Sequence, residues 1–158
     1  MTTDRGVLLS VRPQYAHALL AGTKTAEVRR RFPDLDAGTI LYVYSSSPER
    51  QVIGTLRLKA VHQLHPTTVW RRFKRMIGID QAYLDDYLQG ASNAAIVEVD
   101  EPQRWAGTVT LHQLRSDLCL EPAQSYRYLD QWKAAHLEQI SNSGATVAGA
   151  VSSAWSAA

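Results

Sequence analysis

Lys24, Glu27, Arg29, Arg30 and Arg31 fall within eight consecutive residues, Lys24-Thr25-Ala26-Glu27-Val28-Arg29-Arg30-Arg31. Alternate residues share one face of an extended chain, so Thr25, Glu27, Arg29 and Arg31 would point the same way. Lys24 offers a point charge and Arg29 a planar fork to a phosphate. Glu27 can accept a hydrogen bond from a base edge or an amino group. The plain alternative for the set is a solvated cluster of salt bridges.

Other residues could converge on the same opening. Ser10 and Arg12 stand at the end of a first apolar run, and Ser45 and Ser46 at the end of a third, where small hydroxyls are well placed to meet a ligand. Arg71-Arg72-Phe73-Lys74-Arg75 puts four cations in five residues, which repel one another unless something anionic meets them. That stretch reads either as a phosphate-backbone grip without base readout or as an exposed helix face beside buried Trp70 and Phe73. Tyr42, Tyr44, Tyr126 and Tyr128 could stack on unpaired bases or lie in the core. No metal is expected, because His62 and His65 have a ligand-like spacing but no cysteine or carboxylate close in sequence to complete a set. Nor is a cofactor: there is no phosphate-loop signature, dinucleotide fingerprint or G-x-S-x-G elbow.

The formal charge of +2 conceals an asymmetry. Residues 1–75 carry 13 Lys/Arg against 5 Asp/Glu, whereas residues 76–158 carry 4 against 10. A basic half of that size attracts phosphates and releases their counterions, unless the two halves neutralise each other in the fold. No run approaches the ~18–20 apolar residues of a membrane span, and Met1 to Arg12 lacks the hydrophobic core of a signal peptide. A cytoplasmic location and no membrane partner are therefore expected. Cys119 is the single cysteine; flanked by Leu118 and Leu120, it reads as a buried thiol.

The elements that must position these groups can be drawn from periodicity. Gly6 to Val11 reads as a buried strand and Pro13 to Ala21 as a helix, with Tyr15, Ala16, Leu19 and Leu20 at apolar spacing and Gly22 as a left-handed stop. Thr25 to Arg31 reads as a strand with one wet side, residues 33–38 as a loop, Ile40 to Tyr44 as a buried strand, and Gln51 to Leu64 as a long strand with Gly54 marking a bulge. Pro66 to Met76 suggests a helix, and Asp80 caps another that ends at Gly90. Ala94 to Val99 and Trp105 to Leu111 suggest two strands, and Ser125 to Ile140 a final helix. Strands and helices that do not strictly alternate argue for an α+β fold. The expected domain spans 1–140, followed by a flexible Ser/Ala/Gly-rich tail over 141–158.

Four pieces in order resemble a known family. Leu8-Leu9-Ser10-Val11-Arg12-Pro13 with its helix and the G-x-K-x-x-E-x-R stretch from Gly22 look like the opening of an ASCH domain. Tyr42-Val43-Tyr44-Ser45-Ser46-Ser47-Pro48 with Val52-Ile53-Gly54 looks like its next strand pair, and Gln124-Ser125-Tyr126-Arg127-Tyr128-Leu129 resembles its closing helix. The resemblance covers roughly residues 7–130. It implies a PUA-like curved β-barrel of about five or six strands flanked by three or four helices, with a cleft between barrel and first helix that holds RNA or a nucleoside.

The function expected from residues and resemblance together is nucleic-acid binding, RNA favoured over DNA. Ser10, Arg12, Lys24, Glu27, Arg29, Arg30, Ser45, Ser46 and Tyr126 would serve the cleft, with Arg71, Arg72, Lys74 and Arg75 adding grip. Relatives that resemble single-stranded-RNA ribonucleases imply an enzymatic alternative in which Lys24 and Glu27 act as acid, base and phosphate stabiliser. Other members resemble amidohydrolases of modified cytidine whose threonine nucleophile lies three residues after the lysine; that position here is Glu27, a far weaker replacement. A third alternative is a sensor of a nucleoside- or nucleotide-like ligand.

Overall fold

The computed structural model describes the backbone of residues 6–156 and the side chains of residues 6–144. In chain order the elements are β1 (Gly6–Val11), α1 (Pro13–Ala21), β2 (Ala26–Arg29), β3 (Ile40–Ser45) and β4 (Gln51–Leu64), then a single 3-10 turn (Pro66–Thr68), α2 (Val69–Phe73) and α3 (Gln81–Tyr87). β5 (Ala94–Thr110), α4 (Leu111–Leu118), β6 (Tyr126–Leu129) and α5 (Gln131–Ser156) follow. The six strands form one sheet in the order β2-β5-β4-β3-β1-β6. β1 and β3 pair in parallel and every other neighbouring pair is antiparallel.

Curvature comes from the two long central strands. The β4–β5 ladder shifts register three times along its length, and each shift bends and twists the sheet. Gly54 sits at one of them for a steric reason: a Cβ there would lie 2.3 Å from the Gln103 carbonyl oxygen. The result is a curled α+β half-barrel whose open seam lies between its edge strands, β2 and β6.

Alternation along the strands divides the core. Val7, Leu9, Val11, Leu41, Val43, Val97 and Val99 share the concave cluster, closed by Ala16, Leu19 and Leu20 of α1. Leu8, Tyr42 and Tyr44 face the other way and pack with Leu114, Leu118 and Leu137 of α4 and α5. Ala26, Val28, Ala94 and Ile96 form a third cluster with Val69, Phe73, Leu84 and Leu88 of α2 and α3. β1 is buried on both faces, and its even apolar run reflects that.

Several elements differ from those read off the sequence. Tyr126, expected in the closing helix, lies in strand β6, because residues 126–129 pair with β1; the helix starts at Gln131. The two strands expected over 94–111 are one continuous strand, and α4 was not expected at all, although its capping box is in the sequence: Thr110 accepts from the Gln113 amide while the Gln113 side chain accepts from the Thr110 amide. The helix expected over Pro66 to Met76 shrinks to a 3-10 turn and five α-helical residues. Cys119 is exposed rather than buried, since it ends α4 in the left-handed conformation (φ 48°). The segment expected as a tail begins inside α5: Ser141 is buried and its hydroxyl donates to the Gly107 carbonyl at 2.5 Å. Side chains from residue 145 onward lie outside the described residues.

Candidate functional site

The seam holds a cleft of about 1250 Å³ bounded by α1, β2, α3 and the segment 121–125. Five cations line it, Arg12, Lys24, Arg29, Arg30 and Arg31, against two carboxylates, Glu27 and Glu121. Tyr15, Tyr44, Tyr83 and Tyr87 add four phenol rings.

A buried ion triad forms the floor. Gly22, in the left-handed conformation (φ 79°), ends α1 and turns the chain so that Lys24 enters β2 pointing inward. Lys24 is 1% exposed. Its ammonium lies 3.3 Å from Glu27 Oε1, 5.2 Å from the Tyr15 ring centroid, and donates to the Ile77 carbonyl. Burial pulls the Lys24 ammonium below the ordinary lysine range, and the Glu27 carboxylate beside it opposes that pull. The other Glu27 oxygen, Oε2, accepts from Arg29 Nη2 at 2.9 Å.

Arg29 closes the seam. Besides Glu27 it donates to the Ser10 carbonyl at 2.8 Å and to the Ser125 hydroxyl at 3.2 Å, tying β2 to β1 and to the residue before β6. The Ser10 hydroxyl is spent on the Ala123 carbonyl at 2.6 Å. Phe32 and Tyr126 continue the closure with rings 5.1 Å apart, edge to face. Lys24, Glu27, Arg29 and Ser10 therefore build the cleft more than they offer free groups to it. Lys24 and Arg29, which the sequence singled out as phosphate contacts, are engaged by protein acceptors.

The free charge sits at the rim. Arg12 and Arg31 are exposed and engage no carboxylate among the described residues. Arg30 is held by the carbonyls of Tyr87 (3.3 Å) and Gln89 (3.2 Å), which order it without neutralising it. Ser46 also lines the cleft. Glu121 is occupied by Arg115 at 2.7 and 2.8 Å, which draws its carboxyl below the usual range. At the far end the Tyr44 phenol is raised by burial and drawn back by the nearby Arg50 and Arg115 guanidiniums.

The remaining expected residues fall elsewhere. Ser45, the last residue of β3, is fully buried. Tyr126 packs against Phe32 and Tyr128 instead of lining the cleft. Arg71, Arg72, Lys74 and Arg75 are exposed but lie outside it. Of the aromatics proposed for stacking, Tyr44 alone lines the cleft, and Tyr42 is core, its hydroxyl donating to Glu138 at 3.0 Å. Tyr15, Tyr83, Tyr87 and Ser125 were missed. The spacing of Tyr83 and Tyr87 places them on one face of α3, a signal available in the sequence; Tyr15 was hidden within an apolar helix pattern.

A half-open barrel whose seam carries a basic, tyrosine-lined cleft is the architecture of a ligand-binding α+β domain. The ASCH domain family model matches residues 9–140, and the chain belongs to that family. It is 29% identical over 124 residues to a Zymomonas mobilis protein named ASCH domain-containing ribonuclease, covering 77% of this chain and 82% of that one. The crystal structure of ASCH from Zymomonas mobilis superposes with a TM-score of 0.82 at 27% identity, over 87% of this chain and 96% of that one. A protein from Leishmania major shares the fold, with a TM-score of 0.57 at 13% identity, over 89% of this chain and 96% of that one. Among the described residues, no helix is long and apolar enough to cross a membrane.

Proposed function

We propose that the cleft binds single-stranded RNA, with bases held against its tyrosines and phosphates met by the rim arginines. The observation that carries this is the pairing of four phenol rings with cations that lack counter-charges in one opening. Stacking accepts any base and free arginines meet phosphate, which together suit an unpaired strand. Tyr15 of α1 and Tyr83 of α3 stand side by side, ring centroids 6.2 Å apart and tilted by 59°, and together offer an aromatic wall to an entering base.

A second reading, RNA cleavage, is favoured by the ribonuclease name of the relative 29% identical to this chain. Cleavage needs a group able to take a proton from a ribose hydroxyl. Both Glu27 oxygens are committed to Lys24 and Arg29, and those of Glu121 to Arg115, so the strand must displace one of these contacts for either carboxylate to act. Labelled single-stranded RNA, single-stranded DNA and duplex DNA, run on native and denaturing gels at two salt concentrations, test both. A salt-sensitive shift of intact RNA supports binding, cleavage supports the enzyme, and neither would overturn the proposal and point to a small nucleoside ligand.

A further inference from the structure

Four cations outside the cleft stand without a counter-charge. Arg71, Arg72, Lys74 and Arg75 are all exposed, and no carboxylate engages any of them among the described residues. Residues 66–79 contain no Asp or Glu. The next acid, Asp80, is taken by the cap of α3, accepting from the Tyr83 amide at 2.8 Å. Glu98, on the neighbouring strand, already serves His62 at 2.8 Å and Lys59 at 3.5 Å. The exposed cations of β4 show the ordinary arrangement by contrast: Arg57 pairs with Glu101 at 2.8 Å and Lys59 with Glu98. A cluster left unneutralised beside a strand, β4, whose exposed Arg57 and Lys59 are both paired is an electrostatic asymmetry that an anion would relieve.

Its position links it to the cleft. Directly after Arg75, the Met76 carbonyl accepts from the Thr25 and Ala26 amides at 2.9 and 3.1 Å. The Ile77 carbonyl accepts from the Lys24 ammonium, and Gly78 packs on the Lys24 stem. Two residues of chain, at most about 7 Å, therefore separate Arg75 from the backbone that holds the cleft floor. The Arg72 guanidinium is steadied 5.1 Å from the Phe73 ring, whose other neighbour is His62.

We propose that Arg71, Arg72, Lys74 and Arg75 form a second, sequence-indifferent surface for the phosphate backbone of the same RNA strand whose bases enter the cleft. This rests on the cleft reading and adds to it a strand longer than the cleft itself. The surface carries no base-reading geometry: its cations are exposed and separate from the cleft tyrosines. It sets length dependence and salt dependence, while the cleft sets which bases are held.

The test uses the full chain and two RNA oligonucleotides, of about four and about sixteen nucleotides, in fluorescence anisotropy over a salt series. In R71Q/R72Q/K74Q/R75Q, affinity for the longer RNA falls at least about tenfold and the slope of log K against log salt drops by up to about 3, from roughly 0.7 per lost phosphate contact. Affinity for the short RNA stays at the wild-type value. The charge-keeping variant R71K/R72K/R75K retains both affinity and slope, and controls for folding. Equal loss at both lengths, or an unchanged slope while Tyr83→Ala weakens both RNAs, would overturn the second surface and leave the cleft standing. Wild-type protein that binds neither RNA would overturn both.

Discussion

Glu27→Gln changes one atom and removes the only negative charge in the floor triad. Glu27 is 8% exposed and Lys24 1%, so two cations would be left largely shielded from water, facing a neutral amide. Removing one partner of a buried ion pair costs about 3–5 kcal/mol. Arg29 keeps the Ser10 carbonyl and Ser125 as acceptors and retains some exposure, which softens its share. Lys24 keeps only the Ile77 carbonyl and the Tyr15 ring face, neither of them charged, and bears most of the loss. The expected cost is about 3 kcal/mol, or a fall in melting temperature of about 6–12 °C for a chain of this size. Urea unfolding at neutral pH measures it, through a lowered midpoint with unchanged slope. A change under about 1 kcal/mol would show that water reaches the triad and that Glu27 behaves as a surface acid.

Lys24→Met removes the buried charge together with its desolvation. Because the folded chain holds that proton less tightly than the unfolded one, the wild type gains stability as pH climbs toward the ordinary lysine value of 10.5, and the variant lacks that increment in parallel unfolding titrations. Glu49 and Glu98 act in the same sense, stability rising with pH, but in the acid range. Hydrogen bonds from His17 and His62 hold their carboxyls below 4.5, so their contributions are present above pH 4.5 and fade below it; Glu98→Gln flattens the acid limb of the melting profile. Tyr15→Ala weakens RNA binding by about 1–3 kcal/mol if a base stacks there, read by anisotropy at fixed salt. Cys119 reacts with a thiol reagent in the native protein at the rate of a free thiol, and slow labelling that speeds up in denaturant would contradict its exposure.

How much of this was legible in the sequence depended on whether local pattern or long-range contact decided the element. The opening through Gly22 was readable because Pro13, the apolar spacing and the glycine stop all act locally, and the parity of Glu27 and Arg29 correctly placed them on one face. Asp80 was legible as a cap for the same reason. Tyr126 was not, because its strand exists only through pairing with Leu9, more than a hundred residues earlier. The residue types at the cleft were legible, but not their saturation. Nothing in Lys24-x-x-Glu27 says that the Ile77 carbonyl comes from a distant excursion to take the ammonium at the cleft floor. The cleft tyrosines were obscured similarly, since Tyr83 meets Tyr15 and Tyr87 joins the lining only once α3 folds over the seam.

The central claim, a cleft that holds single-stranded RNA, is tested most directly by anisotropy of a labelled single-stranded RNA against wild type and the double variant Arg12→Ala/Tyr83→Ala, whose side chains face the opening and are not part of the buried triad. Salt-sensitive binding by the wild type, reduced at least about tenfold in a variant that melts like the wild type, is the expected result. Equal binding by both proteins would place the RNA elsewhere and contradict the account.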